Sequence, residues 1–164
     1  VTLLAIRRYP DPALKTACKT VTVFDEALTG RLDDLYATMR AAPGVGITAA
    51  HCGIFERLVV LDLPELGGRR DFVNPEILQA SEETMPHVEG SVSMPGFTDE
   101  VTRPRRITLR YQTADGSLLT EDFEGFAAIC LQHEVDQLDG IFWIQRLSRL
   151  KRERLLKKWE KAGR

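Results

Sequence analysis

Apolar residues recur at Leu28, Leu32, Leu35 and Met39 within residues 24–42, a spacing that puts them on one face of a helix, and Pro43 with Gly44 ends the pattern. Residues 58–63, LVVLDL, form a short apolar run rich in β-branched side chains, which predicts a buried strand. Farther on, Ile107, Leu109 and Tyr111 alternate with Thr108, Arg110 and Gln112, Asp115 and Gly116 supply a turn, and SLLTEDF follows, which predicts an antiparallel hairpin. Residues 125–142 return to helical spacing with two apolar stripes. Ala127, Leu131, Val135 and Leu138 form one, and Phe126, Ile129, Cys130, His133 and Gln137 form the other. A helix that is apolar nearly all round belongs in the middle of a core. A last helix is predicted over residues 147–159. Strands and helices come in blocks, so the expected class is α+β, with antiparallel sheet around a central helix.

The chain has 164 residues, of which 43% are hydrophobic and 28% charged. A chain of this size removes roughly two thirds of its unfolded surface from water, so residues 1–164 are expected to form one domain. No run approaches the roughly 20 apolar residues of a membrane-spanning helix. The opening VTLLAIRRYPDPALK has the wrong order and length for a secretory signal, so a cytoplasmic location is expected. Cys18, Cys52 and Cys130 are irregularly spaced with no CxxC, which argues against a disulfide framework or a zinc ribbon. The net charge of −2 hides an uneven distribution. Residues 146–164 hold nine Lys or Arg against Glu153 and Glu160. That basic segment is either a solvated helix face or a contact for a phosphate-rich partner, such as ribosomal RNA.

Three segments hold candidate chemistry. The first, Gly44-Val45-Gly46-Ile47-Thr48-Ala49-Ala50-His51, is glycine-rich and reads either as a plain turn or as a loop that lets backbone approach a ligand. The second, Glu89-Gly90-Ser91-Val92-Ser93-Met94-Pro95, reads as a polar loop. The third, Gln132-His133-Glu134-Val135-Asp136-Gln137-Leu138-Asp139-Gly140, lies on the buried helix.

Together these segments resemble the three signature motifs of the peptide deformylases, GxGxAAxQ, EGCLS and QHExDHLxG, in the same order. The opening IRRYPDPALKTACKTV, the segment VNPEI, the hairpin and AICLQHE resemble the same family, so the likeness covers nearly the whole chain. The resemblance implies metal-dependent removal of the formyl group from N-formylmethionine of new bacterial proteins. It implies a deformylase-like fold with a central helix, here carrying HExxQ, and a C-terminal helix.

In such a site two histidines at i and i+4 and a cysteine thiolate share a metal, and water takes the fourth position. The glutamate after the first histidine acts as base, and a glutamine with a backbone N–H holds the developing oxyanion. By position, His133 matches the first metal histidine and Glu134 the base. His51 replaces the oxyanion glutamine, and Gly46 and Val92 complete the catalytic set. Ser91 stands at the thiolate position and Gln137 at the second histidine. A protonated hydroxyl and a neutral amide are poor ligands for zinc or ferrous iron. The expectation is therefore no cofactor, or a weakly held Fe2+, Zn2+ or Ni2+, with hydrolysis lost or strongly reduced. A remodelled metal site of His51, His133 and Glu134 is the alternative. Without metal, His133 is expected to bond Gln137 or Glu134.

The resemblance further assigns Val45, Phe126, Ile129 and Cys130 to the methionine pocket and Arg103 to the peptide backbone, although the apolar residues read equally as core. Glu89 and Ser93 are expected to make structural hydrogen bonds around their loop. The partners implied are an N-terminal methionine peptide, formylated or free, and the ribosome through the basic segment.

Overall fold

The computed structural model describes residues 1–163. Helix α1 (Glu26–Ala41) starts where Asp25 accepts the Leu28 N–H, the capping bond that stabilises a helix N-terminus. Seven strands follow: β1 (Gly46–Thr48), β2 (Leu58–Leu63), β3 (Gly68–Ala80), β4 (Thr84–Glu89), β5 (Asp99–Pro104), β6 (Arg106–Gln112) and β7 (Leu118–Glu124). Helix α2 (Gly125–Leu138) and helix α3 (Arg149–Lys161) complete the chain. One antiparallel sheet has the order β1-β2-β3-β6-β7, and β4 pairs with β5 in a second.

The larger sheet lies between two helices. On one face Leu58 and Val60 of β2 meet Leu28, Leu32, Leu35 and Met39 of α1. On the other, Val59, Leu61 and Leu63 meet Ala127, Ala128, Leu131, Val135 and Leu138 of α2. Burial on both faces explains why residues 58–61 are continuously apolar rather than alternating. A third cluster joins Leu14, Met94 and Val101 to Phe142, Trp143, Ile144, Leu155 and Trp159, which fastens α3 to the body.

The predicted first helix, buried strand and hairpin are present. The central helix is shorter than expected: it stops at Leu138, and Gly140 follows with φ +78. A Cβ there would come within 2.6 Å of the Lys15 carbonyl oxygen, so the turn needs glycine. Strand β3 escaped the sequence reading because its pairing with β6 shifts register between Val73 and Glu76, where Asn74 adopts φ 52 next to Pro75. Such a bulge breaks the period-two signal. The last helix begins at Arg149, with Ser148 as its cap, and a short 3-10 turn covers Trp143–Arg146. Of the basic segment, residue 164 lies outside the described residues. No described helix is long and apolar enough to cross a membrane.

Candidate active site

A cavity of about 580 Å3 opens where α2, the loop before β1 and the loop after β4 converge. Helix α2 contributes Phe126, Ile129, Cys130, His133 and Glu134, which recur on its side away from the Ala127–Leu131–Val135 stripe. The glycine-rich loop contributes Gly44, Val45 and Gly46, and a 3-10 turn over Ala49–Cys52 adds His51. Glu89, Ser91 and Val92 come from the end of β4 and the loop beyond it. The two loops touch closely, since a Cβ on Gly44 would lie 2.9 Å from Val92 Cγ1.

His133 does not bond Gln137 or Glu134. Its Nδ1 lies 2.9 Å from Glu89 Oε1. Arg103 grips the same carboxylate, donating from Nε to Oε2 at 2.6 Å and from Nη2 to Oε1 at 3.0 Å. It donates further from Nη1 to Asp136 Oδ2 at 2.9 Å, and Arg146 closes on Asp136 from outside at 2.8 and 2.9 Å. Arg103 is therefore a correction to the sequence reading. The side chain is 5% exposed, does not line the cavity, and spends its donors on two carboxylates rather than on a peptide backbone. Burial works against the Glu89 charge, but hydrogen bonds from His133 and Arg103 outweigh it and hold this carboxyl below the usual range. Burial likewise pulls the His133 imidazole down. Glu134 and Glu89 together overcome that and leave it above its ordinary value.

Gln137 also differs from expectation. Its amide donates to the Leu14 carbonyl at 2.8 Å, and the residue does not line the cavity. Sequence alone could not supply this partner, which lies 123 residues away. Ser91 accepts the Ser93 N–H at 3.0 Å and faces the cavity.

Glu134 is 4% exposed, and burial raises its carboxyl to about 7. Its Oε2 sits against Gly46, where a Cβ would collide with the carboxylate as it is placed. Its Oε1 has no hydrogen-bond partner. His51 is 1% exposed; burial, and then the charge of His133, push it down to about 3. Its Nδ1 accepts the Thr48 N–H at 2.9 Å, while its Nε2 is buried with no partner. Ile129 and Cys130 are buried at the cavity wall, and Val45 stands half exposed at the rim. Burial pushes the Cys130 thiol well up, so it contributes apolar surface rather than a thiolate.

His51, His133 and Glu134 thus share one cavity. Yet among the described residues no three His, Cys, Asp or Glu side chains form a group that could hold a metal. Two partners of the site were missed from sequence, Asp136 and Arg146; the signal available was Asp136 one helical turn beyond His133, with Glu89 at the head of its own motif.

Comparisons with known proteins agree with this architecture. Residues 3–153 match the family model described as polypeptide deformylase. A "Peptide deformylase-like" protein of Brucella melitensis is 58% identical over 164 residues, covering all of both chains. A protein of Agrobacterium fabrum described in the same words is 60% identical over 154 residues, 94% of this chain and 93% of that one. Among solved structures, peptide deformylase from Ehrlichia chaffeensis in complex with actinonin superposes with a TM-score of 0.93 at 33% identity, over 100% of this chain and 99% of that one. By family model, by relatives and by fold, the chain belongs to the polypeptide deformylase family.

Proposed function

We propose that this chain binds N-terminal methionine peptides in the family's cavity and lacks, or has only strongly reduced, metal-dependent deformylase activity. The observation that carries this reading is the contrast between the cavity wall and the donors around His133. Val45, Phe126, Ile129 and Cys130 provide the apolar wall that a methionine side chain needs. At the positions of the family's other two ligands stand a hydroxyl, Ser91, and an amide, Gln137, whose NH2 group is committed to the Leu14 carbonyl outside the cavity. This donor set does not fit zinc, ferrous iron or nickel, which bind imidazole and thiolate far better than neutral oxygen. No step is therefore assigned through a metal. Changes outside the inner ligands already lower affinity or activity by about 10 to 100-fold, and the loss of two inner ligands exceeds that.

The protein is expected to purify with far less than one zinc, iron or nickel per chain and to leave formyl-Met-Ala-Ser intact while binding it. Elemental analysis, a hydrolysis assay and calorimetry check the three parts. Stoichiometric metal surviving dialysis, or turnover at a rate typical of the family, overturns the reading.

A second reading concerns the ribosome as partner. Helix α3 buries Leu155 and Trp159 and leaves Arg149 exposed beside other basic residues. This supports a docked helix that displays charge. Removing the helix would expose Met94, Val101 and the rest of the cluster that Trp159 packs on, so the appropriate variant is Arg149→Glu with Lys157→Glu and Lys158→Glu. Ribosome co-sedimentation is expected to fall in this variant and to fall with added salt in the parent. Equal, salt-independent sedimentation of both chains counts against the contact.

A further inference from the structure

We infer that Ser91, His133 and Glu89 act as nucleophile, base and orienting carboxylate that cleave small apolar carboxylic esters without a metal. The inference rests on the metal-free half of the reading above and is independent of whether a methionine peptide binds.

The base follows from its hydrogen bonds. Arg103 donates to Glu89 Oε2 at 2.6 Å and to Oε1 at 3.0 Å, which holds this carboxyl as an anion that can only accept. His133 Nδ1 lies 2.9 Å from Glu89 Oε1 and must therefore carry the proton of that bond. A neutral imidazole has a single N–H, so Nε2 offers its lone pair. His133 lines the cavity, and among the described residues no donor meets Nε2. A carboxylate on one ring nitrogen and a free lone pair on the other is the arrangement of a general base.

The nucleophile comes from the same loop. Ser91 follows Glu89 by two residues, a stretch of chain that spans at most about 7 Å, and both line the cavity together with His133. Its Oγ accepts the Ser93 N–H at 3.0 Å, which fixes the oxygen and leaves the hydroxyl proton unspent. No hydrogen bond joins Ser91 to His133 among the described residues, and such contacts tighten when substrate fills the site. A serine is a poor metal ligand, but beside an oriented imidazole it is a competent nucleophile. Glu89 acts through His133 and is a positioning residue.

The reaction balances with ester and water alone. Ser91 Oγ bonds to the ester carbonyl carbon while His133 Nε2 takes its proton. The bond from that carbon to the alcohol oxygen breaks, and Nε2 returns the proton to the departing oxygen. Water then adds to the acyl carbon and gives a proton to Nε2. Ser91 Oγ leaves, takes that proton back, and a carboxylic acid is released. Esters suit the site better than amides, because an alcohol oxygen departs with less help than an amine nitrogen. The apolar wall of Val45, Phe126, Ile129 and Cys130 accommodates a short aliphatic acyl chain.

The test uses the full chain with chelator throughout, p-nitrophenyl butyrate as substrate and an alkyl fluorophosphonate as label. The parent is expected to release p-nitrophenol above the buffer rate and to gain a single phosphonyl group, which peptide mass mapping places on Ser91. Ser91→Ala and His133→Asn are each expected to lower turnover by about 1000-fold, or to the buffer rate, and to block labelling. Glu89→Gln is expected to lower kcat by about 100-fold or more while KM stays within about 2-fold, a split that a merely structural role would not give. A label on any other residue, turnover equal in parent and Ser91→Ala, or hydrolysis that chelator abolishes overturns the inference. Should Ser91→Ala not fold, the mapped label on the parent decides: on Ser91 it supports the inference, and elsewhere or absent it sinks it. Stoichiometric metal in the purified chain overturns the metal-free reading and this inference with it, whereas a metal-free chain that takes no label overturns the inference alone.

Discussion

Ser91→Cys combined with Gln137→His is expected to change the chain from one that retains almost no metal into one that holds about one zinc or ferrous ion after dialysis. Cysteine at 91 supplies a thiolate from the loop beside His133, and histidine at 137 supplies an imidazole one helical turn beyond it. The second change gives up the hydrogen bond from Gln137 to the Leu14 carbonyl, which costs about 1 kcal/mol, small against the affinity of a completed ligand set. Formyl-Met-Ala-Ser hydrolysis should rise with metal content, and Glu134→Gln in that background should remove the gain. Restoring an oxyanion donor is typically worth about 100 to 1000-fold. Adding His51→Gln to the double variant should therefore raise the rate further. A folded double variant that stays metal-free would mean that the side chains at 91 and 137 cannot converge on His133.

Arg103→Met is expected to be among the most destabilising single changes in the molecule. Arg103 and Glu89 are each 5% exposed, and Asp136 is 13% exposed. Removing Arg103 leaves the buried Glu89 carboxylate with His133 alone, while Asp136 keeps Arg146, and breaking a buried pair in this way costs about 3 to 5 kcal/mol. At about 2 to 4 °C per kcal/mol for a domain of this size, the melting temperature should fall by roughly 6 to 20 °C. The Arg106–Glu83 pair serves as an internal control. Both partners are more than half exposed, so Arg106→Met should cost no more than about 1 kcal/mol. Calorimetry on the two variants decides the matter, and equal melting temperatures would show that the buried network contributes nothing beyond a surface pair.

Much of this architecture was legible in the amino-acid order, for identifiable reasons. The first helix, the strand LVVLDL and the hairpin at Asp115-Gly116 each carry a local period, and local periods survive burial. The motifs around His51, Ser91 and His133 were legible because each is contiguous in sequence. Strand β3 was hidden by its bulge at Asn74, which resets the alternation. Arg103 was misplaced because sequence position cannot tell a guanidinium facing a ligand from one facing Glu89 and Asp136. The fate of Gln137 was hidden for a related reason: its partner is a backbone carbonyl on a distant segment, and any residue type at 14 presents the same oxygen.

The sheet enclosed by α1 on one face and α2 on the other has an evolutionary consequence. The two apolar layers through Leu58 and Val60, and through Val59, Leu61 and Leu63, are built without any contribution from residues 51, 91 and 133. Mutations at those three positions leave both apolar layers in place and act on the cavity and on the local bonds of His51 to Thr48, Ser91 to Ser93 and His133 to Glu89. A lineage with this scaffold can trade one chemistry at the cavity floor for another without crossing a generation of unfolded ancestors.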